Sequence, residues 1–351
     1  MNQRGAGKAV PSNMTAWLIA LVFALAWISV AAQAQTGEAG CDRPCMAGMV
    51  DQVLTSMVAH NPDTLPLANI YSATENSHPA ALGMMTLWRT VTKAGKPSLL
   101  AIDTNLGQAY FALAISEAGS SSVLWGRIKV ADRKISELEL FINRSRGDHG
   151  FSFSADQLPA NYKKLMFPPP GREKATHEEL VKLAQASFDA SDPLHVDVGA
   201  NCQFTELGWR VVDPGLDDMP QPPLPAGFTK DMPIPCMFPP FRPTDLKARV
   251  IAIDDDLGFV VVAGIVPGYV YPYPYLGHML SAFIPKDMKD ARDTQEQWFE
   301  KKLKEGKSGL LHPSPATGET MQVFQFYDGK LQASQINVYL SGPDAHSQWV
   351  Q

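Results

Sequence analysis

Beyond Ala32 the chain has no apolar run long enough to span a bilayer, which takes about 20 residues. It also has no cluster of lysine and arginine. The first absence predicts a chain that is soluble once its N-terminal segment is removed. The second argues against nucleic acid or an anionic membrane surface as partner, because both are bound by basic patches.

Familiar catalytic and cofactor motifs are absent as well. There is no Gly-x-Ser-x-Gly elbow, no phosphate-binding glycine loop, no dinucleotide fingerprint and no His-Glu-x-x-His pair. We therefore expect no cofactor and no metal. A hydrolase would lack an identifiable nucleophile, so any catalytic role has to be argued from side chains that share a pocket.

The N-terminal segment, residues 1–34, has the features of a signal peptide. Arg4 and Lys8 precede the nearly continuous apolar stretch 17–32, and Ala32-Gln33-Ala34 is a small-x-small cleavage site. An uncleaved anchor is the alternative. Cleavage would move the formal net charge from -6 to -8, since only two basic residues are lost. We expect a periplasmic or extracellular protein.

Four cysteines remain after cleavage: Cys41, Cys45, Cys202 and Cys236. An even number in an exported protein predicts disulfides, for which three pairings exist. Proximity in the chain favours Cys41–Cys45 and Cys202–Cys236, the second of which would close a proline-rich stretch. A zinc site is the alternative, but the spacing of cysteines and histidines does not support it.

The chain contains a weak internal repeat. Residues 101–107 return as 252–258 with five of seven positions identical. The repeated elements, in chain order, are Pro62, Thr74-Glu75 and 101–107, then Pro193, Thr205-Glu206 and 252–258. A unit that occurs twice indicates two similar domains, since solenoids need at least three short repeats.

Apolar periodicity gives the same organisation twice: an amphipathic helix, a short link, and a run of antiparallel strands. This pattern predicts an α+β fold built as a tandem duplication. The predicted boundaries are a first unit at 41–143, a linker at 144–175 and a second unit at 176–340 with insertions at 213–243 and 287–304.

The first unit carries a fairly specific set of short motifs. They are Cys41-Asp42-Arg43-x-Cys45, Val58-Ala59-His60-x-Pro62, Leu65-Pro66-Leu67-Ala68, Thr74-Glu75-Asn76, Leu82-Gly83, Leu87-Trp88, Asp103…Gly107-Gln108…Phe111 and Arg127-x-Lys129-Val130. On these motifs the unit resembles a domain of unassigned function found in secreted fungal and bacterial proteins. The overall pattern is similar to the nuclear transport factor 2-like, or SnoaL-like, cone fold, in which helices and a curved sheet enclose a pocket.

Glu75 and Glu206 are the candidate catalytic carboxylates, because the Thr-Glu pair occurs in both units. In an enclosed pocket, desolvation raises the pKa of a glutamate and suits it to proton abstraction. The alternative is a structural role in which the carboxylate binds backbone amides at a turn. Recurrence in both units favours that structural role.

Trp125 and Arg127 are two positions apart on a predicted strand, so their side chains lie on the same face, and both are candidate substrate-binding residues. If that face lines a pocket, Arg127 would bind a substrate carboxylate or an enolate-like oxygen. The alternative pairs Arg127 with Glu137 or Glu139 on the next strand, on an exposed face.

A Pro/Tyr-rich segment, 269–275, precedes His278, our third candidate base. Its tyrosines, Tyr271 among them, would form an aromatic rim over a pocket. The alternative is a loop whose tyrosines pack on the domain surface.

The fold resemblance implies an exported protein that binds a small organic molecule. If the protein is an enzyme, the resemblance implies a cofactor-free lyase, isomerase or dehydratase with Glu75, Glu206 or His278 as the base. The rival hypothesis is a non-catalytic ligand-binding or interaction protein. A pocket filled by tryptophan and methionine side chains would favour the rival. The sequence leaves the oligomeric state open.

Overall fold

A computed structural model of the protein describes residues 40–144, 153–188, 195–210, 236, 248–275, 278–306 and 312–349, without the side chains of 272–282. The predicted signal peptide lies outside these residues, as does the predicted insertion 213–243 apart from Cys236. No helix among the described residues is long and apolar enough to cross a membrane.

The helices begin where the sequence provides caps. Helix α1 (Arg43–Val58) starts after Asp42, whose carboxylate accepts a hydrogen bond from the Cys45 amide. Helix α4 (His177–Ala186) starts with a capping box formed by Thr176 and Glu179. The helices are α1 (Arg43–Val58), α2 (Leu87–Thr90), α3 (Leu158–Lys163), α4 (His177–Ala186) and α5 (Lys289–Lys304). The charged insertion predicted at 287–304 is therefore largely helix α5.

The strands of the described residues form two curved seven-stranded sheets. The first sheet contains β1 (Leu67–Glu75), β2 (His78–Pro79), β3 (Val91–Ala94), β4 (Leu99–Asp103), β5 (Gln108–Glu117), β6 (Ser120–Ala131) and β7 (Lys134–Asn143). The second contains β8 (Val198–Glu206), β9 (Trp209–Arg210), β10 (Arg249–Asp254), β11 (Phe259–Tyr275), β12 (His278–Pro285), β13 (Ser314–Tyr327) and β14 (Lys330–Ser341). The α+β class predicted from the sequence is confirmed at this level.

Corresponding strands pair in the same way in both sheets. The order is β2-β1-β7-β6-β5, with β4 on β5, and β9-β8-β14-β13-β11, with β10 on β11. In each sheet the first long strand runs parallel to the last one, β1 to β7 and β8 to β14, while the other pairs are antiparallel. The register also corresponds, because Asp103 faces Gln108 and Asp254 faces Phe259.

The glycine of the repeated segment has the same task in both sheets. Gly107 and Gly258 have φ values of +62° and +70°, and their carbonyls accept hydrogen bonds from Val130 and Phe326 at a bulge. A Cβ would lie 2.6 Å from the Val130 oxygen at Gly107, and closer still to the Phe326 oxygen at Gly258. Only glycine fits both the backbone conformation and this close approach.

Two regions differ from the sequence interpretation. The segment 269–275, interpreted as a rim or a surface loop, is the end of β11 and pairs with β12. Proline has no backbone N–H, but in this segment the prolines alternate with tyrosines, whose backbone N–H groups remain free to pair with the neighbouring strand. The predicted linker 144–175 contains α3 and a 3₁₀ turn, Lys164–Met166.

Both predicted disulfides are confirmed. Cys41 and Cys45 have Cα atoms 5.2 Å apart, and Cys202 and Cys236 have Cα atoms 5.7 Å apart. The described cysteines include no free thiol. Such pairing fits a protein of an oxidising compartment.

The first sheet packs on two apolar clusters, one on each face. One cluster lies between this sheet and α1 and is filled by large side chains, among them Met46, Met57, Met85 and Trp88. The other joins the first sheet to the second through residues such as Tyr110, Trp125 and Val261. Both sheets belong to one compact unit.

Candidate functional site

Glu75 is held as a structural anchor. Its carboxylate accepts hydrogen bonds from the Thr86 amide at 3.1 Å, from the Thr86 hydroxyl, and from the Leu87 amide at 2.9 Å. These donors lie at the start of α2, so the carboxylate binds the otherwise unsatisfied amides of a helix end. This is the geometry of the structural alternative, and no cavity is needed to explain it.

Glu206 occupies the corresponding place in the second sheet. Glu75 faces Leu140 across the parallel pair β1–β7, and Glu206 faces Ile336 across β8–β14. His278 pairs through its backbone with Tyr275, and its side chain lies outside the described part of the chain. The three predicted bases are therefore not brought together around one pocket by the described contacts.

Trp125 and Tyr271 are both buried and both have structural partners. The Trp125 ring stacks on Phe141 with centroids 4.2 Å apart, and its Nε1 donates to Asn143 Oδ1. The Tyr271 hydroxyl donates to Glu296 of α5 at 3.1 Å. Burial, together with this glutamate, raises the pKa of Tyr271 to about 12.

Arg127 pairs with both neighbouring carboxylates, as the alternative interpretation predicted. Its Nε lies 2.7 Å from Glu139 and its Nη1 lies 2.6 Å from Glu137. The expected exposed face is wrong, because the Arg127 side chain is only 3% exposed. The second sheet lies on this face, and the Trp349 ring covers the guanidinium at 4.6 Å.

The ion pairs continue across the boundary between the sheets. Arg249 of β10 binds the second oxygen of Glu139, whose side chain is 3% exposed. Burial opposes ionisation of Glu137, but Arg127 and Lys129 outweigh it and hold the pKa of Glu137 below its usual value. Two arginines and two glutamates thus form a largely buried, charge-balanced network.

The aspartates of the repeated segment join the two sheets reciprocally. The Ile253 amide donates to Asp103 at 2.9 Å, and the Ile102 amide donates to Asp254 at the same distance. Arg43 at the start of α1 also binds Asp254 with both terminal nitrogens, at 2.8 and 2.9 Å. The repeated segment, 101–107 and 252–258, therefore links the two sheets through its aspartates.

A cleft of about 510 Å³ lies where the β1–β2 hairpin meets the end of β14, and we call it the Glu319 cleft. It is lined by Ser77, His78, Pro79, Glu319, Tyr339, Leu340, Ser341, Gly342, Pro343, Ala345, His346 and Gln348. The Gln348 amide donates to the Ser77 carbonyl at 3.4 Å and so links the two walls.

Glu319 is the carboxylate at this cleft, and only 4% of the residue is exposed. Its Oε1 accepts a hydrogen bond from the Ser341 hydroxyl at 2.7 Å. Burial raises the pKa of Glu319 to about 7; nearby Glu139 adds to the rise, while Ser341 and Arg249 oppose it. The side chain can therefore exchange a proton near neutral pH.

Sequence reasoning missed Glu319, although a signal for it exists. Lys134 and Lys330 occupy the same position in the final turn of each sheet, so their spacing in the sequence relates β6 to β13. By this spacing Glu319 is the equivalent of Val123 in the first sheet. A glutamate at a position that is valine in the first sheet breaks the apolar pattern. Among the described residues, no group of three or more metal-binding side chains is found.

The altered pKa of Glu319 predicts how stability depends on pH. A carboxyl whose pKa rises from 4.5 to about 7 on folding stabilises the folded state fully below pH 4.5. This contribution is lost as the pH rises towards 7. Glutamine cannot ionise, so Glu319→Gln should not lose stability as the pH rises. We expect its free energy of unfolding at pH 8, measured with urea, to be about 2–3 kcal/mol higher than that of wild type.

Glu137→Gln is the matched control, because the pKa of Glu137 is lowered on folding. Its carboxylate stabilises the fold above its unfolded pKa and loses that effect as the pH falls. Glu137→Gln should therefore lower stability at pH 8. A Glu319→Gln protein that is less stable than wild type at pH 8 would contradict the assignment.

Comparison with known proteins assigns no family. No family model matches the chain, and no curated protein matches it. Among solved structures, a de novo designed protein with a curved β-sheet is similar at 11% sequence identity and a TM-score of 0.25. That match covers 29% of this chain and 88% of the designed chain, and at this TM-score it carries no argument about function.

Proposed function

We propose that this is an exported protein that binds a small organic molecule in the Glu319 cleft. The observation that carries the proposal is a nearly buried carboxylate at a cleft of about 510 Å³. Clefts of this size with a few convergent polar groups are the usual places where proteins bind small molecules. The two disulfides support export.

We also propose that the two sheets are tandem copies of one cone-fold unit, similar to the nuclear transport factor 2-like group. The matching strand order, the paired glycine bulges and the reciprocal aspartates support this. In the first copy, methionine and tryptophan side chains fill the space under α1. That copy therefore acts as a scaffold, and ligand binding falls to the cleft between the copies.

The test is a screen of small aromatic and sugar-like compounds by saturation-transfer NMR, followed by titration. We expect the compounds that bind wild type to lose binding to Tyr339→Ala, because Tyr339 lines the cleft. Tyr327→Ala is the matched control, since Tyr327 is also partly buried but lies at the other end of the same strands. Binding that survives Tyr339→Ala, or a screen with no binding, would refute the proposal.

A cofactor-free acid–base enzyme is the second candidate, and the pKa of Glu319 favours it. A carboxylate that titrates near pH 7 can abstract a proton next to a carbonyl and return it. In this hypothesis Glu319 takes the role that the sequence suggested for Glu75, Glu206 or His278. The enzyme hypothesis differs from the binding hypothesis because it requires Glu319 to transfer a proton, and Glu319→Gln would abolish this transfer.

A further inference from the structure

We propose that the ligand of the Glu319 cleft is a small organic cation, an ammonium group joined to an apolar body. The inference rests on the proposed function, because it names the chemical class that this site would select. It is argued from the unfilled hydrogen-bonding capacity of Glu319, from the charges around the cleft, and from its aromatic wall.

The first step is the incomplete set of partners around Glu319. One carboxylate oxygen accepts from Ser341, and the other has no hydrogen-bond partner among the described residues. A buried carboxylate is costly unless hydrogen-bond donors surround it. An ammonium group carries three donors and a positive charge, so it would supply the missing partner and neutralise the carboxylate.

The second step is the balance of charge behind Glu319. Arg127 and Arg249 are matched by Glu137 and Glu139, to which they are directly paired. Glu319 is the further carboxylate beside this network and has no ion-pair partner among the described residues. Lys129 also pairs with Glu137, but its side chain is 42% exposed, so the largely buried carboxylates outnumber the largely buried cations by one. A cationic ligand would restore the balance.

The third step is the sign of the groups that face the cleft. No lysine or arginine lines it, and its histidines, His78 and His346, are exposed at the rim. Arg144 and Glu75 lie near Tyr339 and offset each other in sign. An anionic ligand would meet Glu319 without a facing cation, so the surroundings disfavour it.

The fourth step is the apolar wall. Tyr339 lines the cleft beside Pro79 and Pro343, and it packs against Phe141 with ring centroids 6.1 Å apart. An aromatic face next to a carboxylate favours a cation with an apolar substituent, because the ring attracts the charge and packs against the body. A bare metal ion would bind the carboxylate but would gain nothing from the apolar wall.

The experiment compares three probes of similar size: benzylamine, benzyl alcohol and benzoate, which are cationic, neutral and anionic. Titration calorimetry at pH 8, where Glu319 is ionised, should give benzylamine at least about tenfold higher affinity than either other probe. Glu319→Gln should remove this preference, so that benzylamine binds no more tightly than benzyl alcohol. Benzylamine binding to wild type should also weaken as the pH falls below 7, because Glu319 then takes up a proton.

The outcomes separate the ligand class from the site. If benzyl alcohol or benzoate binds as tightly as benzylamine and Tyr339→Ala still abolishes binding, the cation proposal is overturned and the cleft remains a binding site. If none of the probes binds, the cation proposal is overturned, and the compound screen decides the proposed function separately. Glu319→Gln is expected to fold at least as well as wild type, and circular dichroism with thermal unfolding checks this before each titration.

Discussion

Replacing Asp254 with alanine should lower the free energy of unfolding by about 3–5 kcal/mol, the cost of breaking a buried ion pair. The Asp254 side chain is fully buried and accepts four hydrogen bonds. Two come from Arg43, and the others come from the amides of Ile102 and Leu257. Alanine would leave all of these donors without their acceptor, and Arg43 with the exposed Asp256, at 3.7 Å, in place of its buried charge partner. Urea unfolding followed by circular dichroism measures the loss.

Asp255→Ala is the matched control one residue away, since Asp255 is half-exposed and its ion-pair partner among the described residues is His177, at the surface. It should change stability by less than about 1 kcal/mol. Asp103→Ala should be destabilising too, but less than Asp254→Ala, because Asp103 accepts only backbone amides. Equal effects at 254 and 255 would show that the joint between the sheets contributes little to stability.

Arg127→Met is the second large effect, again about 3–5 kcal/mol of lost stability. Methionine fills much of the space but leaves Glu139, which is 3% exposed, with Arg249 as its one ion-pair partner. It also removes the cation under the Trp349 ring. Thermal and urea unfolding at pH 7 measure the loss.

Lys129→Met is the control on the same strand and face. Lys129 is 42% exposed and reaches Glu137 at 3.2 Å, so its removal should cost less than about 1 kcal/mol. A loss for Arg127→Met as small as that for Lys129→Met would mean that the buried network is no more stabilising than a surface ion pair.

Much of the fold was predictable because its signals are local. The cap at Asp42, the capping box at Thr176 and the turn after Ala131 each depend on a few neighbouring residues, and all are present in the structure. The disulfides followed from chain proximity and an even cysteine count. Such features need no knowledge of how the sheets pack.

The candidate site was not predictable in the same way. Whether a strand face is exposed depends on what covers it, and Arg127 is buried by the second sheet and by Trp349, which lie far away in the sequence. Recurrence in both units already favoured a structural role for Glu75, but its donors, Thr86 and Leu87, lie eleven and twelve residues away and could not be named from the sequence. The sequence marks Glu319 as a glutamate where the first sheet has Val123, but the cleft beside it forms only when the end of β14 and the β1–β2 hairpin are side by side.

The contact of Trp349 with the first sheet sets an order on the assembly of the protein. Trp349 covers Arg127 and donates to the Thr74 hydroxyl, yet it follows every strand of both sheets in the chain. During synthesis the first sheet is therefore made long before the residue that shields its buried arginine. Until Trp349 emerges, that face keeps an uncovered charge network and cannot reach its final packing.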